Sequence, residues 1–253
     1  MIARAKGRPA RKRSTPGGSV PVTRGLGGSG LTSGLTAHES VYRTIRKIIF
    51  EGGTQPGMPV TLRGLADTLN VSVMPVRDAV RRLIAERALV MQDNRRVLVP
   101  EMDRSKFAQI VFARQTLEPE LAARALSNVR PKDIQTLQTV DRTVDRAMAK
   151  GDVDGYMRGN FEFHFMIYRL ANQPVLLGLV ESVWLQFAPF MRMAYGHYDT
   201  ATLEDFHQAA IKAMIKGKAS ELRSAISADI MQGMSWIGED VLSESEPGRL
   251  NTG

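Results

Sequence analysis

Cysteine is absent from this 253-residue sequence, and aromatic residues make up only 6% of it. Without cysteine the chain can form neither a disulfide framework nor a thiolate metal site nor a cysteine nucleophile. The absence agrees with a reducing compartment. No apolar run approaches the roughly 18 residues of a membrane span, and the charged N-terminus lacks the apolar segment of a secretory signal. These absences predict a cytoplasmic protein with no membrane partner.

Acidic residues are missing from the first 36 positions, which carry seven Lys and Arg residues. Residues 37–101 have ten basic and seven acidic side chains, and residues 102–253 have 17 basic and 19 acidic ones. The net charge of +8 therefore comes from the front of the molecule. This distribution favours a polyanionic partner for the front alone.

Residues 1–36 are rich in Gly, Ser, Thr, Pro and Arg and show no apolar periodicity, so we expect a disordered basic tail. The stretch GLGGSG at 25–30 matches the dinucleotide fingerprint G-x-G-x-x-G. That motif requires a strand before it and a helix after it, and here it lies in a linker, so we do not interpret it as a nucleotide site. The cluster RPARKR could contact phosphates or could be a solvated tail.

Apolar residues recur at helical spacing in three segments that begin near Glu39, Thr61 and Ser72, and Ser72 is expected to cap the third helix. The stretch TQPGMPV between the first two segments reads as a turn. Two short β-type runs follow the third segment and flank Asp93-Asn94, a hairpin-type turn signal. Three helices and a hairpin predict a winged helix-turn-helix domain over residues 37–101.

Residues 102–236 contain six helical segments with short polar connections and no comparable strand signal, which predicts an all-α antiparallel bundle. The predicted helices are 103–127, 131–150, 152–171, 174–193, 199–216 and 218–234. Residues 237–253 read as a C-terminal tail. The expected fold class is thus mainly α, with an N-terminal winged helix-turn-helix and a C-terminal helical bundle.

The second helix of a helix-turn-helix lies in the major groove, and its N-terminal residues meet base edges. Arg77 is placed to form a forked contact with guanine, and a basic wing tip would meet the backbone or the minor groove. The predicted DNA-binding residues are Arg63, Ser72, Val73, Arg77, Arg81, Asn94, Arg95 and Arg96. Taken singly, the arginines could equally form a solvated helix face.

The stretch PGMPVTLRGLADTLNVSVMPVRDAVRRLIAERALV resembles the DNA-binding domain of the GntR family of bacterial transcriptional regulators. The resemblance implies binding to double-stranded operator DNA as a homodimer, with Arg63, Ser72 and Arg77 at positions that commonly touch DNA. Val73 replaces an Arg that is usual in the family, and Met74 stands where Thr-like residues are common. Val73 could contact a thymine methyl group instead.

Three stretches of the second half, ARQTLEPELAARA, NFEFHFMIYRLANQPVL and DFHQAAIKAMIKGKASELRSAISADI, resemble the all-helical effector domain, called FCD, of the FadR subgroup. The resemblance implies a divalent metal site at Asn160, His164, His207 and Asp229. Two imidazoles with a carboxylate and an amide oxygen suit Zn, Ni or Mn. Asn160 and Asp229 depart from the family's usual ligand types. Without a metal, these groups would hydrogen-bond an effector directly.

Arg114 and Arg192 are candidates to bind a carboxylate effector, since a buried Arg in an apolar bundle needs an anionic partner. Arg114 could instead pair only with Glu118, and Arg192 could be a surface charge. We therefore expect a repressor, not an enzyme, that responds to a small carboxylate metabolite. Two alternatives are a metal-dependent hydrolase built on the His/His/Asp cluster and an architectural DNA-binding protein whose helical domain only dimerises.

Overall fold

The computed structural model describes residues 36–92, 96–195 and 204–243. The helices of these residues are α1 (Ala37–Phe50), α2 (Leu62–Leu69), α3 (Val73–Ala85), α4 (Arg104–Ala125), α5 (Pro131–Lys150), α6 (Val153–Leu170), α7 (Pro174–Tyr195), α8 (Phe206–Lys216) and α9 (Ala219–Ser243). The strands are β1 (Pro59–Val60), β2 (Val90–Met91) and β3 (Val97–Leu98). The mainly α fold, with a winged helix-turn-helix before a helical bundle, is confirmed.

The sheet of the N-terminal domain has three antiparallel strands in the order β1-β3-β2. The two strands of the hairpin were expected, but β1 lies in the stretch that was predicted to be a turn. Pro59 pairs with Leu98 and Val60 with Val97. A strand of two residues has no alternating pattern that a sequence could reveal, so the prediction of a turn at Pro59 was wrong.

The turn between α2 and α3 is made by Asn70, whose φ of 52° is in the left-handed region. Asn tolerates this conformation better than most residues. Ser72 occupies the N-cap position of α3, yet its side chain makes no capping hydrogen bond, contrary to expectation. The third residue of the helix is Pro75, which has no N–H to donate to the Ser72 hydroxyl.

Side-chain caps and left-handed glycines delimit the helices of the bundle. Asp103 accepts a hydrogen bond of 2.7 Å from the Lys106 N–H at the start of α4, and Gly151 and Gly217 end α5 and α8 with φ near +63° and +64°. At the end of α9 the prediction was wrong, because the helix continues to Ser243 instead of stopping before a tail. Ile237 is 1% exposed and anchors this extension in the core.

Helix α7 corrects the expectation that no apolar segment is long enough to span a membrane. Residues 174–192 have a mean hydropathy of 1.4 over a helix of sufficient length. Trp184, Leu185 and Phe187 on this helix are fully buried. Because α7 packs against α1, α4, α6 and α9, it is apolar on several sides, as a central core helix is.

The two domains share one continuous hydrophobic core. Phe50 at the end of α1 stacks on Phe161 of α6, with ring centroids 4.9 Å apart, and contacts Phe165 at 5.6 Å. Gly52 follows with φ +65° and lies so close to Met157 that a Cβ atom there would be 2.6 Å from its Cε. The winged domain is therefore packed against the bundle rather than joined to it by a free linker.

Candidate functional site

The exposed face of α3 is formed by Met74, Arg77 and Arg81, which lie on one side of the helix at spacings of three and four residues. Val76 and Leu83 on the opposite side are fully buried in the domain core. This helix follows the left-handed turn at Asn70 and thus has the position of the reading helix in a helix-turn-helix. Its outward face is basic with one apolar side chain.

Three of the predicted DNA-binding arginines, Arg63, Arg77 and Arg81, are exposed and form no ion pair with any residue that the structure describes. Arg82, the next residue on α3, behaves differently. Its guanidinium lies 3.0 Å from Glu39 and 3.6 Å from the centroid of the Tyr42 ring. Arg82 therefore ties α3 to α1, while the other three cations remain free to meet phosphates or bases.

Val73 was predicted to face DNA, but the neighbouring residue Met74 is the more exposed of the two. Val73 is half-buried and packs against the core, whereas Met74 is 56% exposed and shares a face with Arg77. Met74 is thus better placed than Val73 for an apolar contact with a thymine methyl group. Sequence reasoning named Met74 only as a departure from the family, although its spacing of three residues from Arg77 was visible.

The remaining DNA-binding predictions concern the start of α3 and the wing. Ser72 is exposed and its hydroxyl is not used as a cap. Arg96 is exposed beside β3, and its carbonyl accepts a hydrogen bond of 2.8 Å from the Gln92 N–H. Asn94 and Arg95 lie outside the described residues.

A cavity of about 410 Å³ lies inside the bundle and is lined by residues from all six of its helices. The four residues predicted as metal ligands line it together with Arg114. One donor atom each from His164, His207 and Asp229 lies within 4.8 Å of the others. The Nε2 atoms of His164 and His207 are 3.0 Å and 3.7 Å from the two carboxylate oxygens of Asp229. Helices α6, α8 and α9 thus bring these side chains together.

A buried hydrogen-bond chain orients His164. Its Nδ1 lies 3.1 Å from the Tyr168 hydroxyl, which donates a bond of 2.7 Å to Glu118. Glu118 in turn accepts two hydrogen bonds from Arg114, of 2.6 Å and 3.2 Å. Because the Tyr168 proton goes to Glu118, its oxygen can accept from His164 Nδ1–H. Nε2 then faces Asp229 across the cavity, where it donates to the carboxylate when protonated and could bind a metal on giving up that proton.

His207 is oriented in the same manner by Asp141 on α5. Its Nδ1 lies 3.0 Å from the Asp141 carboxylate, and its ring stacks on Phe163 with centroids 3.8 Å apart. The other Asp141 oxygen accepts a hydrogen bond from Gln208. A carboxylate behind the far nitrogen of an imidazole is the usual support of a metal-binding histidine. Asp141 and Tyr168, which contact the two histidines, were not among the residues predicted from the sequence.

The charges of the cavity keep the Asp229 carboxyl ionised. Burial raises the pKa of the Asp229 carboxyl, but the neighbouring imidazoles of His164 and His207 outweigh burial and hold this pKa at about 2. Burial lowers the pKa of His207, and the carboxylates of Asp141 and Asp229 outweigh that effect and raise it. Asp229 is therefore ionised at neutral pH, as a metal ligand must be.

The residues present fit a divalent metal. Each imidazole is supported on its Nδ1 side and directs Nε2 toward an ionised carboxylate, which is the donor set of a borderline metal. Asn160 completes the set, because it is 6% exposed, lines the same cavity and makes only a weak contact of 3.7 Å from Nδ2 to the Met191 sulfur. Its amide oxygen has no hydrogen-bond partner among the described residues.

The two arginines predicted to bind an effector have different surroundings. Arg114 lines the cavity, but Glu118 holds it in a two-point ion pair, and the ring centroids of Phe187 and Trp184 lie 3.9 Å and 5.0 Å from its guanidinium carbon. Arg192 does not line the cavity and pairs with Asp154 instead. Its neighbour Met191 occupies the cavity wall, so the structure does not bring Arg192 to the site.

These features define a class of protein, namely a winged-helix DNA-binding regulator with a helical ligand-binding domain. Residues 37–99 match the sequence profile of the bacterial regulatory proteins of the gntR family, and residues 109–231 match that of the FCD domain. The chain belongs to the GntR family and is a DNA-binding transcriptional regulator with an FCD effector domain.

Individual relatives agree with this assignment. The chain is 28% identical over 209 residues to the HTH-type transcriptional regulator McbR of Escherichia coli K12, covering 81% of this chain and 94% of McbR. It is 21% identical over 160 residues to the HTH-type transcriptional repressor RspR of the same strain, covering 63% of this chain and 70% of RspR. The solved structure of E. coli McbR/YncC shares the fold, with a TM-score of 0.76, 24% identity and coverage of 81% and 99%.

Proposed function

We propose that this regulator acts in the cytoplasm as a homodimeric repressor whose affinity for a palindromic operator is controlled by a small carboxylate bound in the bundle cavity. The observation that carries the proposal is the cavity with its three convergent donors, His164, His207 and Asp229. A relative, RspR, is named a repressor. The relatives' names as transcriptional regulators favour this function over a hydrolase or an architectural protein.

The three convergent donors and the amide oxygen of Asn160 would hold a divalent ion such as Zn, Ni or Mn. When bound, the ion supplies a positive Lewis-acid centre to which a carboxylate can bind. Arg114 has a different role in this proposal, because its guanidinium is already paired with Glu118. Arg114 is a positioning residue that acts through Glu118 and Tyr168 on His164.

A homodimer is supported by an exposed apolar pair on the outside of the bundle. Hydrogen bonds from Gln115 to Ser227 and from Arg223 to Glu120 set an antiparallel register between α4 and α9. The same register brings Phe112, which is 73% exposed, near Met231, which is 48% exposed. Exposed apolar pairs of this kind favour association. Light scattering gives the molar mass of the protein in solution and so tests the predicted dimer.

The repressor proposal is tested by operator binding with and without ligand at fixed salt, because salt alone changes DNA affinity steeply. DNA from upstream of the chain's own gene is titrated by fluorescence anisotropy, and small carboxylic acids are added to the metal-loaded protein. We expect one or more acids to weaken binding. An operator affinity that no acid changes supports the architectural alternative instead.

We expect the His207→Ala variant to lose the bound metal, because one of the two imidazole donors is removed. Asp141→Asn should keep the donor but weaken metal affinity by roughly 10–100-fold, since it weakens the support of the His207 ring. Elemental analysis and the thermal stabilisation by added ZnCl2 measure both effects. His38→Ala, an exposed histidine on α1, serves as the control. Equal metal content in the parent protein and the three variants would contradict the assigned site.

Signal transfer between the two domains has a candidate route through Arg46. Its guanidinium lies 3.3 Å from Glu86, the C-cap residue of α3, and 2.9 Å from Glu181 on α7. Helix α7 also carries Phe187 and Met191, which contact Arg114 and the cavity. A shift of α7 on ligand binding would therefore reach the reading helix through Arg46.

The Arg46→Met variant should bind operator and ligand nearly as the parent protein does but respond less to the ligand. Coupling between sites is commonly about 5–150-fold in affinity, and we expect this ratio to fall by at least about threefold. The ratio is measured from operator affinities with and without the acid that gives the largest thermal shift. Arg43→Met is the control, because among the described residues Arg43 forms an ion pair with Glu39 of its own helix and with no other side chain. An unchanged ratio would exclude Arg46 as the link.

A further inference from the structure

The wall of the bundle cavity carries far more negative than positive charge. Five carboxylates line it, those of Asp141, Asp145, Glu204, Asp205 and Asp229, against the single guanidinium of Arg114. Arg114 is already neutralised by Glu118, which is fully buried beside it. Even with a divalent ion bound, negative charges would outnumber positive charges on the cavity wall. A simple carboxylate alone would add a further negative charge to this cavity.

Three of the five carboxylates have partners inside the protein. Asp229 lies between the two imidazoles, Asp141 accepts from Gln208 and contacts His207, and Asp205 caps α8 by accepting a hydrogen bond of 2.9 Å from the Gln208 N–H. These three carboxylates are therefore already engaged by groups of the protein itself.

Asp145 and Glu204 are the two acids left over. Both are exposed on the cavity wall, and neither carboxylate group has a hydrogen bond or an ion pair with the residues that the structure describes. Asp145 is one helical turn from Asp141 on α5, and burial together with the charges of Asp141 and Asp205 raises its pKa. Two unpaired carboxylates beside further acids are a favourable place for a cation.

A second polar group faces the cavity from its buried, metal-competent end. Asn160 is only 6% exposed and faces the cavity. Its amide oxygen has no hydrogen-bond partner in the described part of the chain. The cavity thus has a polar, metal-competent end and an acidic rim. A volume of about 410 Å³ suits a small metabolite.

We propose that the effector is a small amino acid, with its carboxylate at the divalent ion that His164, His207 and Asp229 would hold and its ammonium group at the acidic rim, to which Asp145 and Glu204 belong. This inference rests on the proposed control by a carboxylate and adds the opposite charge that the ligand carries. The ammonium group offsets the charge of the rim, which a carboxylic acid of the same skeleton cannot do.

Matched pairs of ligands test the proposal on the full-length, zinc-loaded protein. Isothermal titration calorimetry compares propionate with L-alanine and β-alanine, butyrate with 2-aminobutyrate and 4-aminobutyrate, and glutarate with L-glutamate. We expect an amino acid to bind about tenfold more tightly than its partner without the amino group. In the Asp145→Asn variant this preference should fall by about threefold, as for the loss of one partly exposed ion pair.

Glu162→Gln is the matched control, because Glu162 is exposed on α6 and does not line the cavity. It should leave the preference unchanged. Carboxylic acids that bind as tightly as their amino partners, or a preference that survives in an Asp145→Asn, Glu204→Gln double variant, would overturn the inference. If those acids also weaken operator binding, the proposed control by a carboxylate stands. If no ligand of either set binds or changes operator affinity, both proposals fail.

Discussion

Replacement of Arg77 by alanine is expected to lower operator affinity by roughly 1–3 kcal/mol, about 10–100-fold, and to relax the preference for one base pair. Arg77 is exposed on the outward face of α3 and has no ion-pair partner among the described residues. Its guanidinium can therefore form a two-point contact with a guanine without first breaking an internal bond. Fluorescence anisotropy at one fixed salt concentration measures the loss.

The control for this variant is Arg142→Ala, which removes the same charge from an exposed position on α5 in the bundle. Its operator affinity should stay close to that of the parent protein. Substitution of Arg63 gives a further comparison. Loss of a phosphate contact should weaken binding to all DNA sequences alike and should reduce the salt dependence of binding. If Arg77→Ala binds the operator as the parent does, α3 does not read DNA through this residue.

Replacement of Glu118 by alanine is expected to lower the free energy of unfolding by about 3–5 kcal/mol, the cost of breaking a buried ion pair. Arg114 and Glu118 are 4% and 0% exposed. Without Glu118 the guanidinium stays buried beside Trp184 and Phe187 without its anion, and the Tyr168 hydroxyl loses its acceptor. Urea unfolding followed by circular dichroism measures the effect.

Glu120→Ala provides a comparison on the same helix. Glu120 pairs with Arg124 and Arg223, but Glu120 is only half-buried and both arginines are exposed. Such pairs contribute only about 0–1 kcal/mol. Glu118→Gln keeps the shape and the oxygen that Tyr168 needs, so it should fall between the two. A loss at position 118 no larger than the loss at position 120 would contradict a structural role for the buried pair.

The sequence was most informative where function depends on local spacing. Arg77 and Arg81 lie four residues apart on a helix whose apolar side is clear, so their shared outward face could be predicted. His164, His207 and Asp229 converge as the resemblance to the FCD domain implied. In both cases the deciding relation is either helical periodicity or a family pattern with fixed spacing.

The parts that sequence reasoning missed depend on contacts between distant segments. Asp141 and His207 are 66 positions apart, and Glu118 and Tyr168 are 50 apart. No periodic pattern connects such residues, because only the packing of separate helices brings them together. Arg192 shows the converse, since its position on an apolar helix suggested the cavity while its side chain turns to Asp154 on α6. A side chain's direction at a helix edge depends on the neighbouring helix.

The stacking of Phe50 on Phe161 has a consequence for the engineering of regulators. Domain exchange between relatives is attractive, since each half of such a protein could be matched to a new operator or a new ligand. In this chain, however, a junction placed after the wing would separate α1 from the aromatic side chains that complete its burial. A chimaera would have to keep the surface of α6 and α7 together with the winged helix-turn-helix domain. Otherwise the new bundle surface would have to be redesigned to pack against Phe50.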